Sequence, residues 1–243
     1  MRLRTATKEM DLVNAFSGAS SSSIFGGYGN DELLMGRAFI SSAIRGDSGN
    51  DLIQFFAGAS PEQQHCQRDA GKDVILLLGN VSKTNSPLFG GAGDGTLDAD
   101  VNSLSTILFG SKGNKTIIGG SNVDDLRAGA GDDFIRGGLG ADRMYGKDGI
   151  EDFNYAGGLG QAETGNVATG AIDQLLDFTS DADVISGFGT AGDGEFALAG
   201  GADATYALVC ATMNASAVVA DYVLGVYGSG SAWTAVLFTE IGK

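Results

Sequence analysis

From residue 110 the chain repeats one pattern of apolar and polar positions every nine residues: GSKGNKTII, GGSNVDDLR, AGAGDDFIR, GGLGADRMY, GKDGIEDFN. These five units start at Gly110, Gly119, Ala128, Gly137 and Gly146 and stay in phase to residue 154. Each holds an apolar residue in its eighth place: Ile117, Leu126, Ile135, Met144 and Phe153. The sixth place holds Lys115, Asp124, Asp133, Asp142 and Glu151. A fixed apolar position beside glycine turns predicts short strands whose apolar member points into a shared core. Successive turns then stack at the inter-strand distance of about 4.8 Å.

The N-terminal half carries the same unit at longer intervals: GGYGNDELL, GDSGNDLIQ, a degenerate RDAGKDVIL, and GGAGDGTLD. Starts at 26, 46, 68, 90 and 110 give steps of 20, 22, 22 and 20 residues. If two nine-residue turns make one coil, each step is a coil plus a few inserted residues. The insertions belong in the opposite turn, where MGRAFISS, FFAGASPEQQ and LLGNVSKTNS lack the glycine pattern. The expected solenoid is therefore lopsided, with acid-bearing turns along one whole edge and on the other only from Gly119 onward.

Composition narrows the partners. Forty glycines against two prolines, without a collagen-like three-residue period, describe a chain that turns often and tightly. Thirty acidic residues against fifteen basic ones leave a formal charge of −15, which disfavours nucleic acid and anionic membranes and favours cations. The apolar tract at 204–226 contains Asn214 and Asp221 and alternates like strands, so no spanning helix or membrane insertion is expected. No Sec signal is visible, since Lys8, Glu9 and Asp11 interrupt the apolar run one would need. Cys66 and Cys210 are too few for a disulfide framework or zinc site.

The repeated unit resembles the RTX (repeats-in-toxin, hemolysin-type) nonapeptide G-G-x-G-x-D-x-U-x, a calcium-binding β-helix repeat. The resemblance implies an all-β parallel β-roll, that is, a β-solenoid, and several calcium ions. Calcium takes six to eight oxygens, so carbonyls of two stacked loops together with carboxylates suit it. The residues so implicated in the N-terminal half are Gly26, Tyr28, Asn30, Asp31, Gly46, Ser48, Asn50, Asp51 and Asp73. In the nine-residue block they are Gly119, Ser121, Asp124, Ala128, Ala130, Asp133, Gly137, Leu139, Asp142 and Glu151. Ions are implied between loops one coil apart, pairing Asp31 with Asp51, Asp51 with Asp73, Asp124 with Asp142, and Asp133 with Glu151. Gly95 and Lys115 depart from the pattern at the acid place. A lysine ammonium can substitute for an ion, leaving the middle of that edge calcium-poor.

The expected organisation is an N-terminal cap or arm at 1–20, a calcium-binding β-roll at 21–156, and a β-rich capping and secretion region at 157–243. In the last, AIDQLLDFTSDADVISGF at 171–188 resembles the segment that follows the repeats in secreted RTX proteins. TYALVCATM, AVVADYVLGVYG and SAWTAVLFTEI read as strands closing the roll. GDSG at 46–49 echoes a serine-protease motif, yet Ser48 lies in phase with the repeat. A triad of Ser48, the single histidine His65 and an acid would need their geometry to coincide, and a zincin needs two histidines.

A non-catalytic module is therefore expected. RTX resemblance implies a chain that stays unfolded where calcium is scarce, leaves through type I secretion machinery, and folds outside the cell. Two classes follow: an extracellular structural or adhesive surface protein that self-associates or meets a cell-surface partner, or the secretion and folding module of an exoenzyme. Met1 at the start, with no catalytic constellation ahead of the repeats, favours the first.

Overall fold

The computed structural model describes residues 2–7, 10–15, 23–36, 44–59, 71–81, 87–154, 165–166, 171–177, 182–186, 207–211, 222–229 and 232–239. In chain order the first strands are β1 (Arg2–Thr7), β2 (Leu12–Ala15), β3 (Ser23–Tyr28), β4 (Glu32–Met35), β5 (Ile44–Ser48), β6 (Leu52–Phe56) and β7 (Asp73–Leu78). They continue with β8 (Leu88–Phe89), β9 (Gly95–Asp98), β10 (Ile107–Lys112), β11 (Lys115–Ile118), β12 (Asp125–Ala130), β13 (Phe134–Arg136), β14 (Arg143–Asp148) and β15 (Asp152–Asn154).

The chain alternates between two walls. One is a nine-stranded sheet ordered Val184–Ser186, β15, β13, β11, β9, β7, β6, β4, β2. The other wall stacks β1, β3 and β5, and then β8, β10, β12, β14 and Gln174–Leu175. Within both walls, neighbouring strands of the roll are parallel. The result is the expected all-β parallel β-roll.

Register confirms the steps read from the repeat. Asp73 pairs with Gly95 and Gly95 with Lys115, while Thr116 pairs with Phe134 and Phe134 with Asp152. Parallel pairing also includes β1 with β3 and β15 with Val184–Ser186, on either side of residues 21–156. The inserted residues lie where expected: β3 and β4 are separated by a tight turn, whereas eight residues separate β4 from β5.

Because side chains alternate across a strand, every second residue faces the space between the walls. Leu33, Ile53, Ile75, Leu97, Ile117, Ile135 and Phe153 line it from the nine-stranded sheet. Ile24, Ile44, Leu88, Leu108, Leu126, Met144 and Leu175 meet them from the other wall, in one continuous core. Outward positions follow the same register. Phe109, Arg127 and Tyr145 are consecutive partners, with the Arg127 guanidinium 5.0 Å from both ring centroids.

Beyond the roll, Gln174–Leu175 pairs antiparallel with Ala232–Thr239, which pairs with Tyr222–Ser229, which pairs with Ala207–Ala211. These are the three strands expected of the C-terminal β-rich region. Residues 165–166 and 171–172 form a further small antiparallel pair.

Ile117→Ala, in the middle of the core column, is expected to destabilise the calcium-loaded protein by about 2–5 kcal/mol. The check is a chemical-denaturation midpoint compared with wild type.

Candidate calcium columns

Equal positions in consecutive coils share a register, so the sixth residue of each unit meets its counterparts from the coils on either side. Along the nine-stranded sheet this brings Asp11, Asp31, Asp51, Asp73, Gly95, Lys115, Asp133, Glu151 and Asp183 into one column. Along the other wall it aligns Thr106, Asp124, Asp142 and Asp173. All of these acids except Asp11 are buried.

Backbone amides hold the columns in a ladder. Asp11 N–H donates to Asp31 Oδ1 at 2.9 Å, Asp31 N–H to Asp51 Oδ1 at 2.8 Å, and Asp51 N–H to Asp73 Oδ1 at 2.9 Å. The second column repeats this arrangement, with Asp124 N–H donating to Asp142 Oδ1 and Asp142 N–H to Asp173 Oδ1, both at 2.8 Å. Glu151 N–H reaches Asp183 Oδ1 at 3.1 Å.

In Asp31, Asp51, Asp73, Asp133 and Asp142 an amide one coil away thus satisfies one carboxylate oxygen and leaves the other without a donor. Asp31, Asp51, Asp73, Asp133 and Asp142 each bury Oδ2 without a hydrogen-bond donor, and Glu151 does so with Oε1. Such an oxygen costs about 1–3 kcal/mol, and more when charged. Asp124 differs: Thr106 N–H and Oγ1 donate to its Oδ1, at 2.6 and 2.8 Å, and Gly120 N–H donates to its Oδ2 at 2.7 Å.

The first glycine of the unit makes room for this carboxylate. A Cβ at Gly137 would come within 2.6 Å of Asp142 Oδ2, and one at Gly119 within 2.8 Å of Asp124 Oδ2. Gly26 and Gly46 abut Asp31 and Asp51 in the same way, and Gly146 abuts Glu151. Glycines of a tight turn are expected at positive φ. That holds for later members of the unit, such as Gly29 and Gly131, but not for these first ones, which are glycine because a carboxylate fills the space of a side chain.

Burial drives the electrostatics. It pushes Asp51 and Asp133 up to about 6 despite the amide bonds that lower them, and Glu151 up to about 8 with help from Asp183. Asp142 is raised further, by burial first and then by Asp173 and Asp124. These are stacked like charges awaiting a counter-ion.

Among the described residues, no three His, Cys, Asp or Glu side chains converge on one point. A cation here must draw on backbone carbonyls as well, which suits a hard, many-oxygen ion such as calcium rather than zinc. The orphan oxygens and the glycine notches fit that requirement.

The structure aligns all four carboxylate pairs expected from the sequence. Gly26, Gly46, Gly119 and Gly137 wall the notches. Tyr28 and Ser48 are register partners in the turns, as are Gly129 and Lys147 beside Ala130. The carbonyls of Ser48 and Ala130 accept the amides of Gly29 and Gly113, leaving each one lone pair. Asn30 and Asn50 lie outside the column in an exposed ladder, with Asn50 N–H donating to Asn30 Oδ1. Ser121 N–H bonds the Asn102 carbonyl and Leu139 N–H that of Gly120, both in the turns of the second column, while Ala128 is buried beside Gly110. His65 and Cys66 lie outside the described residues.

Asp11, Asp173, Asp183 and Thr106 join the columns without having been singled out. Asp11 lies 20 residues before Asp31, the step of the next coil, but no glycines precede it. Asp173 and Asp183 follow steps of 31 and 32, which hide them from an 18-residue period.

Residues 102–134 and 118–150 match the family model of the RTX calcium-binding nonapeptide repeat (4 copies). No curated protein and no solved structure matches the chain.

Two outcomes follow from this geometry. Gly46→Ala drives a methyl into the Asp51 carboxylate, so it should destabilise by about 1–3 kcal/mol and raise the calcium concentration needed for half-maximal folding, read by circular dichroism. Without calcium, the raised carboxylates bind more protons folded than unfolded between about pH 4 and 9. Stability of the metal-free fold should therefore fall as pH rises through that window. Far-UV spectra in EDTA should show more β signal at pH 5 than at pH 8, while the half-saturating calcium concentration falls over the same range.

Proposed function

The chain is a repeat protein of the RTX calcium-binding type, and on that premise we propose that it acts outside the cell as a non-catalytic structural or adhesive surface component whose folding is switched on by calcium. The observation that carries the reading is the row of buried carboxylate oxygens with no donor of their own. Asp31, Asp51, Asp73, Asp133, Asp142 and Glu151 would hold the ions, with turn carbonyls completing the shell. Bound calcium supplies positive charge and many oxygen bonds at points where stacked carboxylates otherwise repel.

The rest is done by the chain. Amide ladders orient each carboxylate, glycine notches admit it, and the aliphatic column keeps water from the interior. Each site at a hundred times its dissociation constant adds about 2.7 kcal/mol to folding, so several in series decide whether the roll forms. Extracellular calcium modules work at about 10⁻⁴–10⁻³ M, which suits a chain kept unfolded in a calcium-poor cytosol, exported by type I machinery, and folded outside.

Support for a surface role comes from the exterior. The outward face of the nine-stranded sheet pairs Leu52 with Val74 and Phe56 with Leu78, with Gln54 and Leu76 between them, a largely apolar surface on two adjacent strands suited to contact with another copy or a surface partner.

Calcium titrated into EDTA-treated protein should give a cooperative gain of β signal in the far-UV, and Asp142→Asn should move the midpoint to higher calcium. No spectral change at millimolar calcium would end the reading. Electron microscopy of the calcium-loaded protein should show sheets or filaments; a monodisperse monomer would count against the structural role and leave the calcium switch standing.

A further inference from the structure

The columns have a gap. Between Asp73 and Asp133 the nine-stranded sheet presents Gly95 and Lys115 at the acid place, and the second column opens with Thr106. The one buried acid among the described residues of this stretch is Asp124, and protein donors satisfy both of its oxygens.

We propose that Lys115 is a resident cation standing in a calcium position, so that β8 to β12 form an ion-independent nucleus onto which the calcium-dependent coils on either side fold. This rests on the calcium reading above and adds to it an internal order.

Lys115 is 2% exposed, which for a lysine demands partners. Its Nζ donates to the carbonyls of Lys112, at 2.5 Å, and of Gly93, both in turns of adjoining coils. Its stem fills the notch that a carboxylate fills elsewhere. A Cβ at Gly110 would meet Lys115 Cγ at 2.9 Å, and one at Gly90 would meet Cε at 3.0 Å, just as Gly137 meets Asp142. The ammonium therefore takes the class of ligand calcium would take, turn carbonyls from two stacked loops, at the same place in the register.

It also serves the acids that bracket it. Its own amide donates to Asp133 Oδ1 at 2.6 Å, and its charge offsets part of the rise that burial imposes on Asp73 and Asp133, the nearest acids of the column on its two sides. On the second wall the Gly120 amide answers Asp124 Oδ2, the oxygen left bare in other coils, while the Thr106 amide and hydroxyl hold Oδ1. Leu88, Leu97, Leu108, Ile117 and Leu126 give the stretch a core, and its five strands make two and a half coils, just under the three or so a repeat array needs to hold together.

The test is hydrogen exchange of the full chain in EDTA, combined with calcium stoichiometry by calorimetry, on wild type, Lys115→Asp and Lys115→Met. In EDTA, wild-type amides at 95–98 and 107–118 should exchange about tenfold or more slowly than those at 44–56 and 143–153. Lys115→Met should abolish that difference. Lys115→Asp should abolish it too, and in calcium should take up about one more ion per chain.

Uniform exchange across the wild-type roll in EDTA, or unchanged stoichiometry in a folded Lys115→Asp protein, overturns the inference. Should Lys115→Asp not fold, Lys115→Met decides: wild-type protection in EDTA would show that the ammonium is not the cation. If wild type itself takes up no calcium, it is the calcium reading that fails. If wild type binds calcium and Lys115→Asp binds the same amount, only the role of Lys115 fails.

Discussion

A parallel roll obliges each inward position to repeat its chemistry at the spacing of adjacent strands. For an aliphatic residue this is favourable, because like packs on like. For a carboxylate it is costly, since charges at about 4–5 Å in a partly dry interior repel by several kcal/mol. The backbone amide one coil away relieves one oxygen of acids such as Asp51, Asp73 and Asp142 and leaves the second bare. Everything else in the columns follows from how that second oxygen is answered.

Three answers occur in one chain. In most coils no hydrogen-bond donor reaches the second oxygen. Asp124 receives its donors from Thr106 and Gly120, and Asp73 and Asp133 share the electrostatic influence of Lys115. The aliphatic column from Leu33 to Phe153 does not change across these three regimes. The satisfaction of each carboxylate is thus set coil by coil at the sixth place of the unit, independently of the hydrophobic core that the eighth place builds.

The outer faces meet the same constraint by a different route. Where register would align like charges, aromatic and basic residues interleave, as in Phe109, Arg127 and Tyr145, with Asp125 pairing Arg127 two residues away. Water and alternation suffice there. Inside, with little water and a fixed repeat, only a cation or a lucky donor will do.

The nine-residue phase, the longer N-terminal steps and the eighth-place core were legible because each is a spacing along the chain, and parallel pairing converts spacing into register without further choice. Asp11, Asp173 and Asp183 were not legible, since missing glycines or long inserts break the period while the strands still stack. Nor could spacing tell that the first glycine of the unit yields its volume to a carboxylate, that Asp124 is answered by Gly120 and Thr106 together, or that the Lys115 ammonium reaches two carbonyls of different coils. The sequence alone determined which residues would be brought into line. Only the tertiary structure decided which of them still lack a partner, because hydrogen-bond satisfaction depends on groups 18 to 22 residues away whose distance is set by winding rather than by order in the chain.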